Sequence, residues 1–260
     1  MNTDKKFIVF LDILGFKDLV KNNTHGVLLD IFKKFLFLNQ YKLANGQINQ
    51  SASSQDELFN TDISKVHLIS ISDSIVLYSN DDSIDSFINI VNAASTLLNV
   101  GLKEGLPLRG GISCGEFSAI LKEPINQKFD FSRQLLLGKA LIDAYELESL
   151  QDWSGCVIQE ECISNFTSTE EKAKLNFIIN NHIIKKYNVP LKEEHKEFNV
   201  VNWINDTSFT EQIIRDAFSK HNKNSNTVSV QSKIQNTIDF FNYINNNQYF
   251  SEPQAFLENK

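Results

Sequence analysis

Residues 7–11 form an unbroken apolar run of β-forming side chains closed by Asp12, which predicts a strand buried on both faces. Gly15 breaks the run. Leu28, Ile31, Phe32 and Phe35 then recur at i, i+3, i+4 and i+7, one face of a helix, with Lys33 and Lys34 on the other. Residues 40–64 turn polar, rich in Asn, Gln and Ser, and predict a long loop or projecting arm. Two short β-rich runs, 66–71 and 75–78, flank Ser72-Asp73-Ser74 and predict a hairpin with Asp73 in its turn. Asp82 followed by Asp85 marks a helix start, after which Ile84, Phe87, Ile88, Val91 and Leu98 share one face. Beyond Pro107 comes a strand pair, 109–114 and 117–121, around Gly115.

The order β-α-β-β-α-β predicts an α+β fold with a ferredoxin-like core. Further on, 138–150 patterns as a helix and 155–159 as a strand. Past residue 165 the chain becomes more polar, with a short strand at 200–204 and helices near 210–219 and 229–244. We therefore divide the chain into a main domain, 1–164, and an appended mixed α/β region, 165–260.

Composition narrows the classes. A chain of 260 residues that is 42% hydrophobic can bury a full core. A net charge of -7 argues against general nucleic-acid binding, which concentrates Lys and Arg against phosphates. No apolar run reaches the ~20 residues that span a bilayer, and no signal segment opens the chain, so a cytoplasmic protein is expected. Cys114, Cys156 and Cys162 are odd in number and lack metal or disulfide spacing; they are expected to be buried thiols. His67, within an apolar strand, is expected to be a satisfied sheet residue, and Glu116 a structural one.

Two carboxylates demand a chemical account. Asp12 ends a central strand and Asp73 sits in the turn of strands that should pair beside it. Carboxylates brought together at strand ends repel unless a cation lies between them. Mg²⁺ or Mn²⁺ is held in this way, by one or two carboxylates and substrate phosphate oxygens. Gly15, lacking a Cβ, allows a tight turn that brings backbone amides toward a phosphate.

The stretch Phe10-Leu11-Asp12-Ile13-Leu14-Gly15-Phe16 resembles the F-x-D-I-x-G-F signature of class III nucleotide cyclases. The resemblance implies two divalent metals, Mn²⁺ or Mg²⁺, held by Asp12, Asp73 and the Ile13 carbonyl, with Gly15 and Phe16 against the substrate. Arg109-Gly110-Gly111-Ile112-Ser113-Cys114-Gly115-Glu116 resembles that family's R-x-G-I-x-x-G-E segment, in which the Arg serves the metal and phosphate site.

The chain departs from the adenylate cyclases at the positions that read adenine. The expected Lys and Asp are Ile69 and Leu135, and the expected helix Asn and Arg are Ile142 and Glu146. The segment from Gly138 to Glu148 is instead similar to the G-x-A-x-x-x-A-Y-x-L-E stretch of the Pycsar pyrimidine cyclases, and the similarity continues through 153–158 and, loosely, 187–192 with Asn202-Trp203. This implies a homodimer with composite sites that cyclises UTP or CTP, and an antiphage signal acting through a separate effector protein. Arg109, Lys139 or Arg133 is then expected to stabilise the developing charge. Two other readings stay open: a catalytically silent cyclase-like module, and a palm-type polymerase or diguanylate cyclase. The latter needs a G-G-[DE]-E-F-like hairpin, which Ser72-Asp73-Ser74 is not.

Overall fold

The computed structural model describes residues 5–43, 65–122, 133–204 and 208–247, with side chains left out at 37–43, 121–122, 133–134 and 247. Its centre is a seven-stranded, mostly antiparallel sheet flanked by helices. Strand β1 (Lys5–Ile13) lies in the middle, between β3 (Ser74–Ser79) and β4 (Leu108–Glu116). β2 (Val66–Ile71) forms the hairpin with β3 and takes the edge. The order β2-β3-β1-β4, all antiparallel, inserts a strand into each βαβ unit, which is the split arrangement expected from the sequence.

The helices fall unequally on the two faces. α1 (Phe16–Lys21), α2 (His25–Leu43) and α3 (Ile84–Glu104) connect the strands, and α3 lies across the face carrying Phe7, Val9, Leu11 and Ile13. α3 begins at Ser83, one residue later than expected, because Ser83 Oγ accepts from Ser86 N–H while Asp81 accepts from Ser83 and Ser86. It ends at Gly105, whose φ of 81° lets the Leu106 N–H return to Gly101 O at 2.7 Å. Phe87, Ile90, Val91, Ala94, Leu97 and Leu98 are all buried there.

The opposite face carries Ile8 and Phe10 and is covered by one helix, α4 (Lys139–Leu150). Gly111 permits this contact, since a Cβ there would lie 2.6 Å from Ala144 O and 2.7 Å from Leu147 Cβ. The outward side of α4 and the neighbouring strand leave Ile142, Tyr145 and Leu137 more than half exposed, at 57%, 53% and 65%.

The expected strand pair after Pro107 is corrected. β4 does not pair with β5 (Ser118–Lys122); β5 pairs with β6 (Arg133–Leu137) in a separate two-stranded sheet. β4 is already hydrogen-bonded to β1 on one side and to β7 (Cys156–Ile158) on the other.

Residues past 165 extend the main sheet. β9 (His195–Val201) pairs with β7, and β8 (Ile184–Pro190) pairs with β9. α5 (Glu161–Ser164), α6 (Thr169–Asn180), α7 (Glu211–Ser219) and α8 (Val228–Asn247) complete the described elements. Trp153, Trp203 and Phe240 stack within the same core as α3. The strand expected at 200–204 is β9, displaced toward the N-terminus, and β8 and α6 carried too weak a periodicity to be predicted. Of the polar segment 40–64, residues 40–43 end α2 and the rest lie outside the described residues.

Candidate active site

Asp12 lies near the C-terminal end of β1, directly opposite Ser74 of β3 and Arg109 of β4. Because alternate residues face opposite sides of a sheet, Asp12 shares the α4 face with Phe10. Asp73 occupies the two-residue turn between β2 and β3. Ser72 before it has a φ of 58°, the left-handed conformation that tight hairpin turns of this length require. The Ile13 N–H donates to Asp73 O at 3.0 Å, so the turn is tied to the end of β1. Two residues 61 positions apart are thereby placed side by side by one hairpin and one hydrogen bond.

Glu148, on the last turn of α4, approaches from above the sheet. Arg109 donates from Nε and forms an ion pair through Nη2 to Glu148 Oε1, and its Nη1 donates to Gln151 O at 2.8 Å. The two side chains are only 11% and 4% exposed. Gln151 is in turn held by Gly110 O, Leu147 O and the Trp153 indole N–H. The guanidinium is therefore engaged by protein groups.

Negative charge is in excess here. Burial, the Glu148 carboxylate and Asp73 push the Asp12 carboxyl up to about 6, with Arg109 pulling the other way. Burial likewise raises Glu148, against the pull of Arg109. A cation beside Asp12 and Asp73 would relieve this repulsion, so the donor set fits a divalent metal. Among the described residues no group of three or more His, Cys, Asp and Glu forms a ready-made cage. Two carboxylates suffice only where substrate phosphates complete the shell.

Gly15 caps α1 with a φ of 79°, and a Cβ there would press on Lys223 Cδ at 3.1 Å. Phe16 packs edge-on against Phe32 at 5.9 Å. Lys223, buried beneath the Gly15 turn, donates from Nζ to Gly105 O and Ala217 O, both at 2.8 Å, and burial pulls its ammonium down to about 7. Nothing in the spacing pointed to Lys223 or Gln151. Glu148 lies within the segment similar to the pyrimidine cyclases, where no spacing singles it out.

Lys139 stands apart from this cluster. It opens α4 beside Gly115, six residues along β4 from Arg109, or about 20 Å at the strand rise. Within one chain it does not meet Asp12. Ile69 is half-buried on β2, and Leu135 half-exposed on β6. Arg133 begins β6. His67 stacks on Tyr78 and bonds Asn80 Oδ1 at 2.6 Å, as a sheet residue should. Glu116 ends β4.

No family model matches the chain, and no curated protein matches it in sequence. Among solved structures it is similar to the guanylyl cyclase Cya2, at 10% identity over 77% of this chain and 93% of that one, with a TM-score of 0.47. It is also similar to the adenylyl cyclase CyaB from P. aeruginosa, at 14% identity over 76% of this chain and 93% of that one, with a TM-score of 0.45. Likeness at this level bears on neither activity nor substrate. No helix among the described residues is long and apolar enough to cross a membrane.

Proposed function

We propose that the protein is a nucleotide cyclase that converts a pyrimidine nucleoside triphosphate, UTP in preference to CTP, to its 3',5'-cyclic monophosphate and pyrophosphate. The observation that carries this reading is the pairing of Asp12 with Asp73 at the end of β1 through the Ile13–Asp73 hydrogen bond. Asp12, Asp73 and the Ile13 carbonyl would hold two Mn²⁺ or Mg²⁺ ions, which supply charge to the triphosphate and acidify the attacking hydroxyl when bound.

The protein's own groups do the rest. The turn at Gly15 and Phe16 brings backbone close to the phosphates. Arg109, fixed by Glu148, keeps positive charge beside Asp12 and so favours its ionised form. The substrate's 3'-oxygen attacks the α-phosphorus, its proton leaves, and pyrophosphate departs.

Two features support a homodimer. The exposed apolar side of α4 and β6 suits a second copy. Lys139, remote from Asp12 in its own chain, can then serve the partner's site as the cation that the chemistry needs. Base choice is read from Ile69 and Leu135, which offer no donor or acceptor to a purine edge. The similarity to the pyrimidine cyclases supports a signal in antiphage defence, passed to a separate effector.

A second reading, a silent nucleotide- or partner-binding module, is favoured by Ile142 and Glu146 at the helix positions and by the engagement of Arg109 with Glu148. Incubation of the pure protein with Mn²⁺ and four equimolar triphosphates, with products identified by mass, separates them. Cyclic UMP as the main product is the expected result. Cyclic AMP would overturn the base assignment, and no cyclic product from any triphosphate would favour the silent module.

A further inference from the structure

Away from Asp12, β4 ends in a second chemically distinctive place. Its pairing with β7 covers only Gly110 to Ile112, and Cys114, two residues further, is half-buried, contrary to the expectation that all three thiols are buried. Cys162, on α5, is fully buried against it. The Cys162 thiol donates to Ile112 O at 3.8 Å, two residues along β4 from Cys114, and its sulfur neighbours Cys114 Sγ, to which Asn165 Nδ2 donates at 3.6 Å. Cys114 lines a cavity of about 330 Å³ together with Lys5, Lys139, Gln159 and Glu161, ample for a small oxidant.

We infer that Cys114 and Cys162 form a peroxide-sensitive modification site, in which Cys114 is oxidised first and Cys162 then closes an intramolecular disulfide. Reactive thiols are partly exposed and surrounded by donors, whereas inert ones are sealed in apolar surroundings. Cys114 has the first environment. The neighbouring Cys162 side chain lowers the Cys114 thiol most, aided by Asn165 and Lys5 and opposed by burial and Glu161. Cys156 and Cys162 are both fully buried and their thiols pushed well up, first by desolvation, so Cys114 is the one oxidised first. The nearness of Cys162, hydrogen-bonded to Ile112 O two residues from Cys114, also supplies the resolving group that redox-sensing cysteines need.

The chemistry balances with hydrogen peroxide as oxidant. The Cys114 thiolate attacks one peroxide oxygen; the O–O bond breaks, hydroxide leaves, and the sulfur is oxidised by two electrons to a sulfenic acid. Cys162 sulfur then attacks Cys114 sulfur, the S–O bond breaks, and the departing hydroxide takes the Cys162 proton as water. Two thiols and one peroxide become one disulfide and two waters. The inference is independent of the proposed nucleotide chemistry.

The test uses the full chain, reduced and then exposed to excess hydrogen peroxide, denatured and alkylated. The expected product has one alkylatable cysteine in place of three, with a peptide joining Cys114 to Cys162 within one chain. Cys162→Ala should stop at a sulfenic acid on Cys114 that dimedone traps, and Cys156→Ala should form the same Cys114–Cys162 peptide and leave no alkylatable cysteine. The wild-type peptide map stands on its own even if a variant fails to fold. Three alkylatable thiols after treatment, a disulfide between chains, or one that includes Cys156 would overturn the inference.

Discussion

The two faces of the central sheet are built to different ends. On one, α3 and its neighbours seal Phe7, Val9, Leu11 and Ile13 within a core that runs on into α8. On the other, α4 covers Ile8 and Phe10 together with Phe117 and Leu136, and the strand ends beyond it carry Asp12, Asp73 and Arg109, faced by Glu148 of α4. The first face is mainly apolar, its buried Ser95 and Asn99 satisfied by Asn202 O and Trp203 O, and supplies stability. The second keeps charges partly out of water and in excess of one sign, which costs stability and suits a site that awaits a cation and an anionic substrate. Each strand of the sheet serves both faces, because its side chains alternate.

The largest effect should come from the charged face without disturbing the apolar one. Asp12→Ala and Asp73→Ala are each expected to lower cyclisation at least ~10³-fold, about 4 kcal/mol of transition-state stabilisation, while the thermal midpoint without metal does not fall. Turnover of UTP by either variant at the wild-type rate would remove the metal assignment.

Next is a contrast in burial. Phe87→Ala, on the sealed face, should destabilise by about 3–5 kcal/mol in urea unfolding. Ile142→Ala, on the outward side of α4, should stay within about 0.5 kcal/mol for the monomer. Equal losses in the two variants would show that α4 is as deeply packed as α3.

Arg109→Met tests whether the charged pair is structural. Removing the guanidinium leaves Glu148 buried without its partner and should cost about 3 kcal/mol at pH 7. The loss should shrink as the pH falls and Glu148 takes up a proton. Arg109→Met combined with Glu148→Leu should recover much of it. If the double variant is no more stable than the single one, Glu148 is not the group left unpaired.

The smallest effect carries a sign. Asp12 holds its proton more tightly when folded, to about 6, than the usual carboxyl at 3.8, owing first to burial and then to Glu148 and Asp73. The metal-free protein should therefore lose stability as the pH rises from about 4 to about 6, with the full penalty present above that. Asp12→Asn should gain about 1–2 kcal/mol at pH 7.5, discounted for partial exposure, and nothing below pH 4. Added Mn²⁺ should raise the wild-type midpoint and leave that of Asp12→Asn almost unmoved. A variant less stable than wild type at pH 7.5 would contradict the excess of negative charge.

Much of the core was legible along the chain. The apolar run ending at Asp12, the hairpin around Asp73 and the helical face of Phe87, Val91 and Leu98 each follow from local periodicity, and all three stand in the structure. Pairing was legible only where a short turn forced it. β2 meets β3 across two residues, but β5 lies next to β4 in sequence and pairs with β6 instead, since both edges of β4 were already taken. β8 alternates too weakly to announce itself, because it is an edge strand with Lys186 and Asn188 exposed and polar Lys185 on its other face.

The site divides in the same way. The sequence by itself determined that two carboxylates would stand at strand ends near a glycine turn, because a carboxylate that interrupts a buried apolar run must lie where the strand leaves the core. Only the tertiary structure decided what surrounds them. Glu148 reaches Arg109 because α4 crosses the sheet at Gly111, Lys223 sits under Gly15 because the chain after α7 returns beneath α1, and Cys162 meets Cys114 because α5 packs where β7 stops. Each of these contacts joins residues dozens to hundreds of positions apart. Their partners are set by the packing of elements against a common sheet, a three-dimensional constraint that no local pattern encodes.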